Sequence, residues 1–180
     1  MYTMHFGTPH DPRPENETSV YRFLDSLHIP FYRIDHGPVH TMEDCAAIDK
    51  ELGGQICKNL FLSNTQQTEF YLLMIQETKF FKTKDISKQL GVSRLTFGAP
   101  EHMERLLHLS PGAVSPMGLH FESAKNVRLI VDADVKKAEF LGCHPCVNTA
   151  SIRLSMEDFF LRYLPATGHV PTFVTVPQAE

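Results

Sequence analysis

Apolar residues recur along this chain with two periods, and the changes of period mark out its elements. Val20, Phe23, Leu24 and Leu27 fall at i, i+3, i+4 and i+7, one face of a helix that Pro30 stops. Phe31 to Asp35 alternates and reads as a short strand. Thr41 with Asp44 resembles a capping box, and the helix it opens carries a partial apolar face of Met42, Cys45, Ala46 and Leu52 before Gly53 and Gly54 end it. The strand Asn59 to Leu62 follows, opened by Lys58. After the turn 63–67, Phe70 to Ile75 is a continuous apolar run, as expected of a strand buried on both faces.

The second half mixes shorter pieces. Asp85 to Leu90 reads as a helix ended by Gly91, Arg94 to Phe97 as a strand, and Pro100 to Leu109 as a helix with Met103, Leu106 and Leu107 inward. Gly112 to Leu119 combines strand residues with two glycines and a proline, the pattern of a bulged edge strand. Val127 to Val131 is a further core strand, with a brief helical stretch from Asp132. The residues after Cys146 alternate, with Ala150, Ile152 and Leu154 on one side. Ser155 and Asp158 cap a last helix whose apolar face is Met156, Phe159, Phe160, Tyr163 and Leu164, and Thr172 to Val176 is a final strand. Strands and helices do not alternate as regular βαβ units, which favours an α+β domain with a curved antiparallel or mixed sheet. Residues 1–16 are polar and proline-rich and read as a loose arm, leaving 17–180 as one domain.

Composition narrows the classes. Hydrophobic content of 42% and charged content of 21% are ordinary for a globular protein. The net charge of −4 argues against a broad nucleic-acid-tracking surface, and so against DNA binding, but leaves room for gripping one nucleotide end. Four cysteines at irregular spacing are too few for a disulfide framework and fit a reducing cytoplasm. No signal pattern opens the chain, and no apolar run approaches about 18 residues, so no membrane association is expected.

Three stretches carry candidate chemistry. Lys58 follows a glycine pair at a strand entrance, where its ammonium could meet a phosphate or, if desolvated, act as a base; it could equally be a solvated lysine. Gly112, Ala113, Val114, Ser115 and Pro116 could bring unpaired backbone groups against a ligand, or form a plain bulge. His144 and Asn148, beside Pro145, sit at a strand turn and suit either a polar pocket or a hydrogen-bonded turn. Cys143 and Cys146 form a CxxC, but the strand pattern that follows lacks the helix dipole of a redox site, and no second ligand pair is present for zinc. His36 and His40 bracket a Gly-Pro turn without a third ligand nearby. No metal or other cofactor is expected. Lys79, Lys82 and Lys84 around Phe80 and Phe81 are either a solvated edge or a nucleic-acid backbone contact.

Taken together, Lys58-Asn59-Leu60-Phe61-Leu62, Gly112 to Leu119 and His144 to Ala150, with Ser93 to Phe97 and the Gly168-His169 turn in the same order, resemble the YbaK-like, prolyl-tRNA synthetase-associated editing domains. The resemblance covers residues 17–176 and is nearest the freestanding group that deacylates alanyl-tRNA(Pro). It implies a mixed sheet closing toward a barrel with helices outside, and hydrolysis of the ester joining a wrong amino acid to a tRNA 3′ end. On that pattern Lys58 matches the essential lysine and the segment from Gly112 to Pro116 lines the amino-acid pocket. His144, Asn148 and Asn59 lie beside it. Val170 stands where the family usually has an acidic residue, and Cys146 where it has a larger aliphatic one. The partners implied are the acceptor end of mischarged tRNA and prolyl-tRNA synthetase. A Cys-tRNA(Pro) or other aminoacyl-tRNA deacylase, a non-catalytic tRNA-end-binding module and a thiol oxidoreductase are the rival readings.

Overall fold

The computed structural model describes residues 1–39 and 41–178, with Met42 described in its backbone only. His40, half of the histidine pair weighed above, lies outside the described residues, as does the Met42 side chain. Among the described residues nine strands form one mixed sheet in the order β1 (Met4–Phe6), β2 (Phe31–Asp35), β8 (Ala150–Ser155), β7 (Phe140–Cys143), β3 (Gln55–Asn64), β4 (Phe70–Gln76), β6 (Arg128–Asp132) and β9 (Thr172–Val174), with β5 (Leu95–Phe97) also paired to β3. The pairings β3–β7, β4–β6 and β6–β9 are parallel and the rest antiparallel. The sheet is open, with β1 and β9 at its ends. The helices are α1 (Glu15–Ser26), α2 (Met42–Leu52), α3 (Thr83–Leu90), α4 (Pro100–Leu107) and a last helical segment. That segment runs through α5 (Met156–Asp158), a π turn Phe159–Tyr163 and α6 (Leu164–Thr167). No helix among the described residues is long and apolar enough to cross a membrane.

β4 is the strand buried on both faces. Phe70, Leu72 and Met74 enter the larger core with Leu24 of α1, Leu129 and Val131 of β6 and Phe159, while Tyr71, Leu73 and Ile75 enter a smaller one with Ile86 of α3 and Val174. Alternation thus explains why its sequence is apolar without a break. β3 is longer than its apolar run because the glycine pair admits it to the sheet. Gly53 caps α2 in the left-handed conformation, at φ 75°. Gly54 then passes so close to β7 that a Cβ on it would lie 2.8 Å from Gly142 N. On α2 it is Ile48 and Leu52 that are buried, whereas Ala46 is exposed.

Two sequence expectations change. Residues 1–16 are not a loose arm. β1 pairs with β2, and Arg13 reaches Glu17 at 3.0 Å and Asp35 at 2.9 Å. Burial opposes the charge on Asp35, but hydrogen bonds from Arg13 and Arg33 outweigh it and bring its carboxyl down to about 2. Pattern reading missed this because the docking residues are polar. Nor is the stretch from Gly112 an edge strand. Ser115 Oγ accepts from Met117 N at 3.1 Å and starts a 3₁₀ turn, Pro116–His120, in which Pro116 takes the first position and needs no N–H partner.

Candidate active site

A cavity of about 170 Å³ opens where α2, β3 and the β7–β8 turn meet. Val39, Ile48, Ile56 and Val114 give it apolar walls, and Cys57, Cys143 and Gly142 line its sheet side. Its polar lining comprises Asp49 of α2, Asn59 of β3, Glu77 after β4, His144 and Ser151.

His144 follows β7, and both of its ends are fixed. Its carbonyl accepts from Ser115 Oγ at 2.5 Å, and its Nδ1 lies 2.8 Å from the Ala150 carbonyl. A carbonyl can only accept, so Nδ1 carries the proton. Burial pushes the imidazole below its ordinary value, the Ala150 hydrogen bond partly offsets this, and His36 at a ring separation of 6.1 Å lowers it again. The neutral ring then leaves Nε2 as a bare acceptor, with no partner among the described residues. His36 is held likewise: Nδ1 donates to the Gly37 carbonyl at 2.8 Å, and Nε2 accepts from Ser151 Oγ at 3.0 Å.

A second bare acceptor belongs to Asn59. Its amide nitrogen donates weakly to the Cys57 carbonyl at 3.4 Å, and its Oδ1 is buried without a hydrogen-bond partner among the described residues. An unpartnered buried carbonyl is costly unless a ligand meets it. Among the described residues the charged lining is Asp49 and Glu77, with no lysine or arginine. Burial, and then the Glu77 charge, push the Asp49 carboxyl up to about 6.

Lys58 stands between Cys57 and Asn59 and, by strand alternation, projects to the other face of the sheet. There its Nζ donates to the Lys79 carbonyl at 3.0 Å and sits 4.5 Å from the centre of the Phe80 ring. Lys58 is therefore a neighbour of the cavity through its strand, not one of its lining side chains. Of the stretch from Gly112 to Pro116 only Val114 lines the cavity. Gly112 is exposed, Ala113 N–H already donates to the Ser110 carbonyl, and Ser115 and Pro116 are buried in the turn that holds His144. Asn148 is half-buried outside the cavity lining.

Lys79 is not placed to touch a nucleic acid. It is 1% exposed and its ammonium lies 2.7 Å from both Asp132 and Asp134. Lys82 and Lys84 are exposed. Cys143 and Cys146 are buried free thiols; burial drives Cys143 up to about 12 and Cys146 higher still, the reverse of an activated pair. Among the described residues no three His, Cys, Asp or Glu side chains converge as metal ligands. Sequence reasoning missed Asp49, Glu77 and the His36–Ser151 pair, which lie far apart in the chain and follow no local motif.

Comparison with known proteins agrees with this architecture. The chain is 32% identical over 140 residues to the prolyl-tRNA editing protein ProX of Acetoanaerobium sticklandii, covering 78% of this chain and 85% of that one. It is 30% identical over 152 residues to the mouse prolyl-tRNA synthetase associated domain-containing protein 1, covering 82% and 89%. A solved structure described as a candidate trans-editing enzyme for prolyl tRNA synthetase superposes with a TM-score of 0.69 at 17% identity. The match covers 93% of this chain and all of the other, a likeness of fold. The family model of the aminoacyl-tRNA editing domain matches residues 36–160, with the cavity residues from Val39 through Ser151 inside it. The chain belongs to the YbaK-like aminoacyl-tRNA editing domain family.

Proposed function

We propose that this protein is a trans-editing hydrolase that removes a wrong amino acid, alanine first, from tRNA(Pro). One observation carries the reading. A cavity of about 170 Å³ holds two unpartnered neutral acceptors, Asn59 Oδ1 and His144 Nε2, on apolar walls suited to a small side chain. An aminoacyl ester is already activated, so hydrolysis asks mainly for placement of ester and water. In this scheme water adds to the ester carbonyl and its proton passes to His144 Nε2. The ribose oxygen then leaves and takes a proton back from the imidazolium, giving free amino acid and tRNA. Asn59 Oδ1 accepts a hydrogen bond from the substrate. Lys58 anchors the terminal phosphate or adenosine on its own side of β3, exchanging the Lys79 carbonyl for the anion. Lys82 and Lys84 are assigned to weaker contacts with the tRNA, and prolyl-tRNA synthetase is the enzyme whose errors would be corrected.

Alanine fits this cavity where the proline ring meets Val114 and Ile48, the logic of a second sieve. The test is a panel of Ala-, Cys-, Ser- and Pro-charged tRNA(Pro). Alanine release well above the others supports the assignment. Cysteine release in its place moves the specificity, and binding without turnover makes the protein an RNA-end-binding module.

A further inference from the structure

We propose that α3 and the segment leading into β5 form a docking groove for the phosphate backbone of the tRNA acceptor arm. Lys84 and Lys88 stand four residues apart on α3 and therefore on one face of it. With Thr83, Ser87, Val92 and Arg94 they line a groove of about 560 Å³ that has three cations and, among the described residues, no carboxylate in its walls. An adjoining groove of about 460 Å³ shares Thr83 and Arg94 and adds Thr65, Thr96 and Phe97. Among the described residues none of Lys84, Lys88 and Arg94 forms an ion pair, although ten lysine or arginine ion pairs occur elsewhere. In a chain of net charge −4, three unpaired cations gathered in one groove are a local field of the opposite sign.

Two aromatic side chains extend this surface toward Lys58. Phe97 is 59% exposed and its ring meets Phe81 edge-on at 6.3 Å, while the next residue back, Phe80, is 71% exposed and lies over Lys58. Phe97 pairs with Leu62, four residues along β3 from Lys58, about 13 Å at strand rise. Cations for phosphates, followed by exposed rings toward Lys58, match a helical stem that continues into a single-stranded end. An acidic protein segment or an anionic lipid surface would use the cations but not this ordered run of rings. The inference rests on the aminoacyl-tRNA reading only for the identity of the RNA.

The experiment is fluorescence anisotropy with uncharged tRNA(Pro) transcript over a range of salt. It compares wild type, the triple variant Lys84→Gln/Lys88→Gln/Arg94→Gln, and a charge control, Arg22→Gln/Lys50→Gln, on other helices. All five positions are exposed, and the thermal midpoint of each protein checks that its fold is kept. The triple variant should bind roughly tenfold or more weakly, and the slope of log K against log salt should fall by about 2–3, near 0.7–0.9 for each phosphate no longer neutralised. The control should keep the wild-type slope. An unchanged slope in the triple variant overturns the groove, as does loss of binding to phosphatidylserine vesicles with tRNA binding intact. Wild-type turnover of Ala-tRNA(Pro) is measured alongside. A salt slope that depends on the groove without turnover sinks the deacylase reading and leaves the groove standing.

Discussion

The Lys58 ammonium is bound by the main-chain carbonyl of Lys79 at 3.0 Å, and Lys79 is itself locked by Asp132 and Asp134. The cation expected to grip substrate is therefore held by a segment whose own anchor is a buried ion cluster.

Lys58→Ala should leave the thermal midpoint near wild type and lower deacylation about 10–150-fold, the worth of one charge-assisted hydrogen bond of about 1.5–3 kcal/mol. Lys79→Met should instead destabilise the fold by about 3–5 kcal/mol, because the 1%-exposed Asp132 is left as an unpaired buried charge. Urea denaturation and single-turnover kinetics on the two variants separate these roles. Turnover within twofold of wild type for Lys58→Ala would remove Lys58 from the mechanism.

His144→Ala should lower kcat by about 10²–10⁴, the usual range for a positioned proton acceptor. Only the neutral ring can accept, and burial lowers its pKa. The acid limb of the wild-type rate profile should therefore lie below the ordinary histidine range, with full activity above it. A kcat profile that stays flat down through that range would show that His144 holds structure and moves no proton.

Asp49 gives a stability prediction with a definite sign. Its carboxyl is raised to about 6 in the fold, so folding favours the protonated form. The stability this contributes is fully present below the unfolded value near 4 and is lost as pH rises through about 6. Asp49→Asn should thus raise the thermal midpoint above pH 6, with the difference vanishing below pH 4. Equal midpoints at pH 8 would show that Asp49 is better solvated than its place in the cavity wall implies.

Replacing Cys143 with serine and Cys146 with alanine should preserve deacylation, since burial holds both thiols protonated. Any change in amino-acid preference should come from Cys143, which lines the cavity, and not from Cys146, which does not. The paired single variants, assayed with Ala- and Ser-charged tRNA(Pro), check this; loss of turnover in a cooperatively folded double variant would revive thiol chemistry.

Selectivity should respond to Val114 and not to Gly112. Val114→Ala widens the wall and should raise the rate on Pro-tRNA(Pro) relative to Ala-tRNA(Pro). Gly112→Ala meets open space but must hold φ +93°, so it should cost about 1–2 kcal/mol of stability and leave the ratio of the two rates alone. Competition assays with both charged tRNAs read the ratio directly. A ratio that shifts with Gly112 would place that turn against substrate.

The sequence by itself determined the elements whose signals are local. The alternation of Ala150, Ile152 and Leu154 fixed β8 as a strand and so removed the helix a CxxC redox site needs. The unbroken run from Phe70 to Ile75 announced a strand covered on both faces, and Thr41 and Gly53 marked the two ends of α2. Order along the chain of the Lys58, Gly112 and His144 stretches was enough to point to the family. What only the tertiary structure decided was which face each side chain uses and which distant polar groups meet. Strand alternation sends Lys58 away from the cavity that its neighbours Cys57 and Asn59 line. A hydroxyl cap turns the stretch from Pro116 into a 3₁₀ turn instead of a strand. Lys79 reads as a surface charge until Asp132 and Asp134, more than fifty residues on, are folded against it. Patterning reports the local cost of exposing apolar surface. Charge pairing and the lining of a cavity depend on contacts between segments far apart in sequence, and no local period records them.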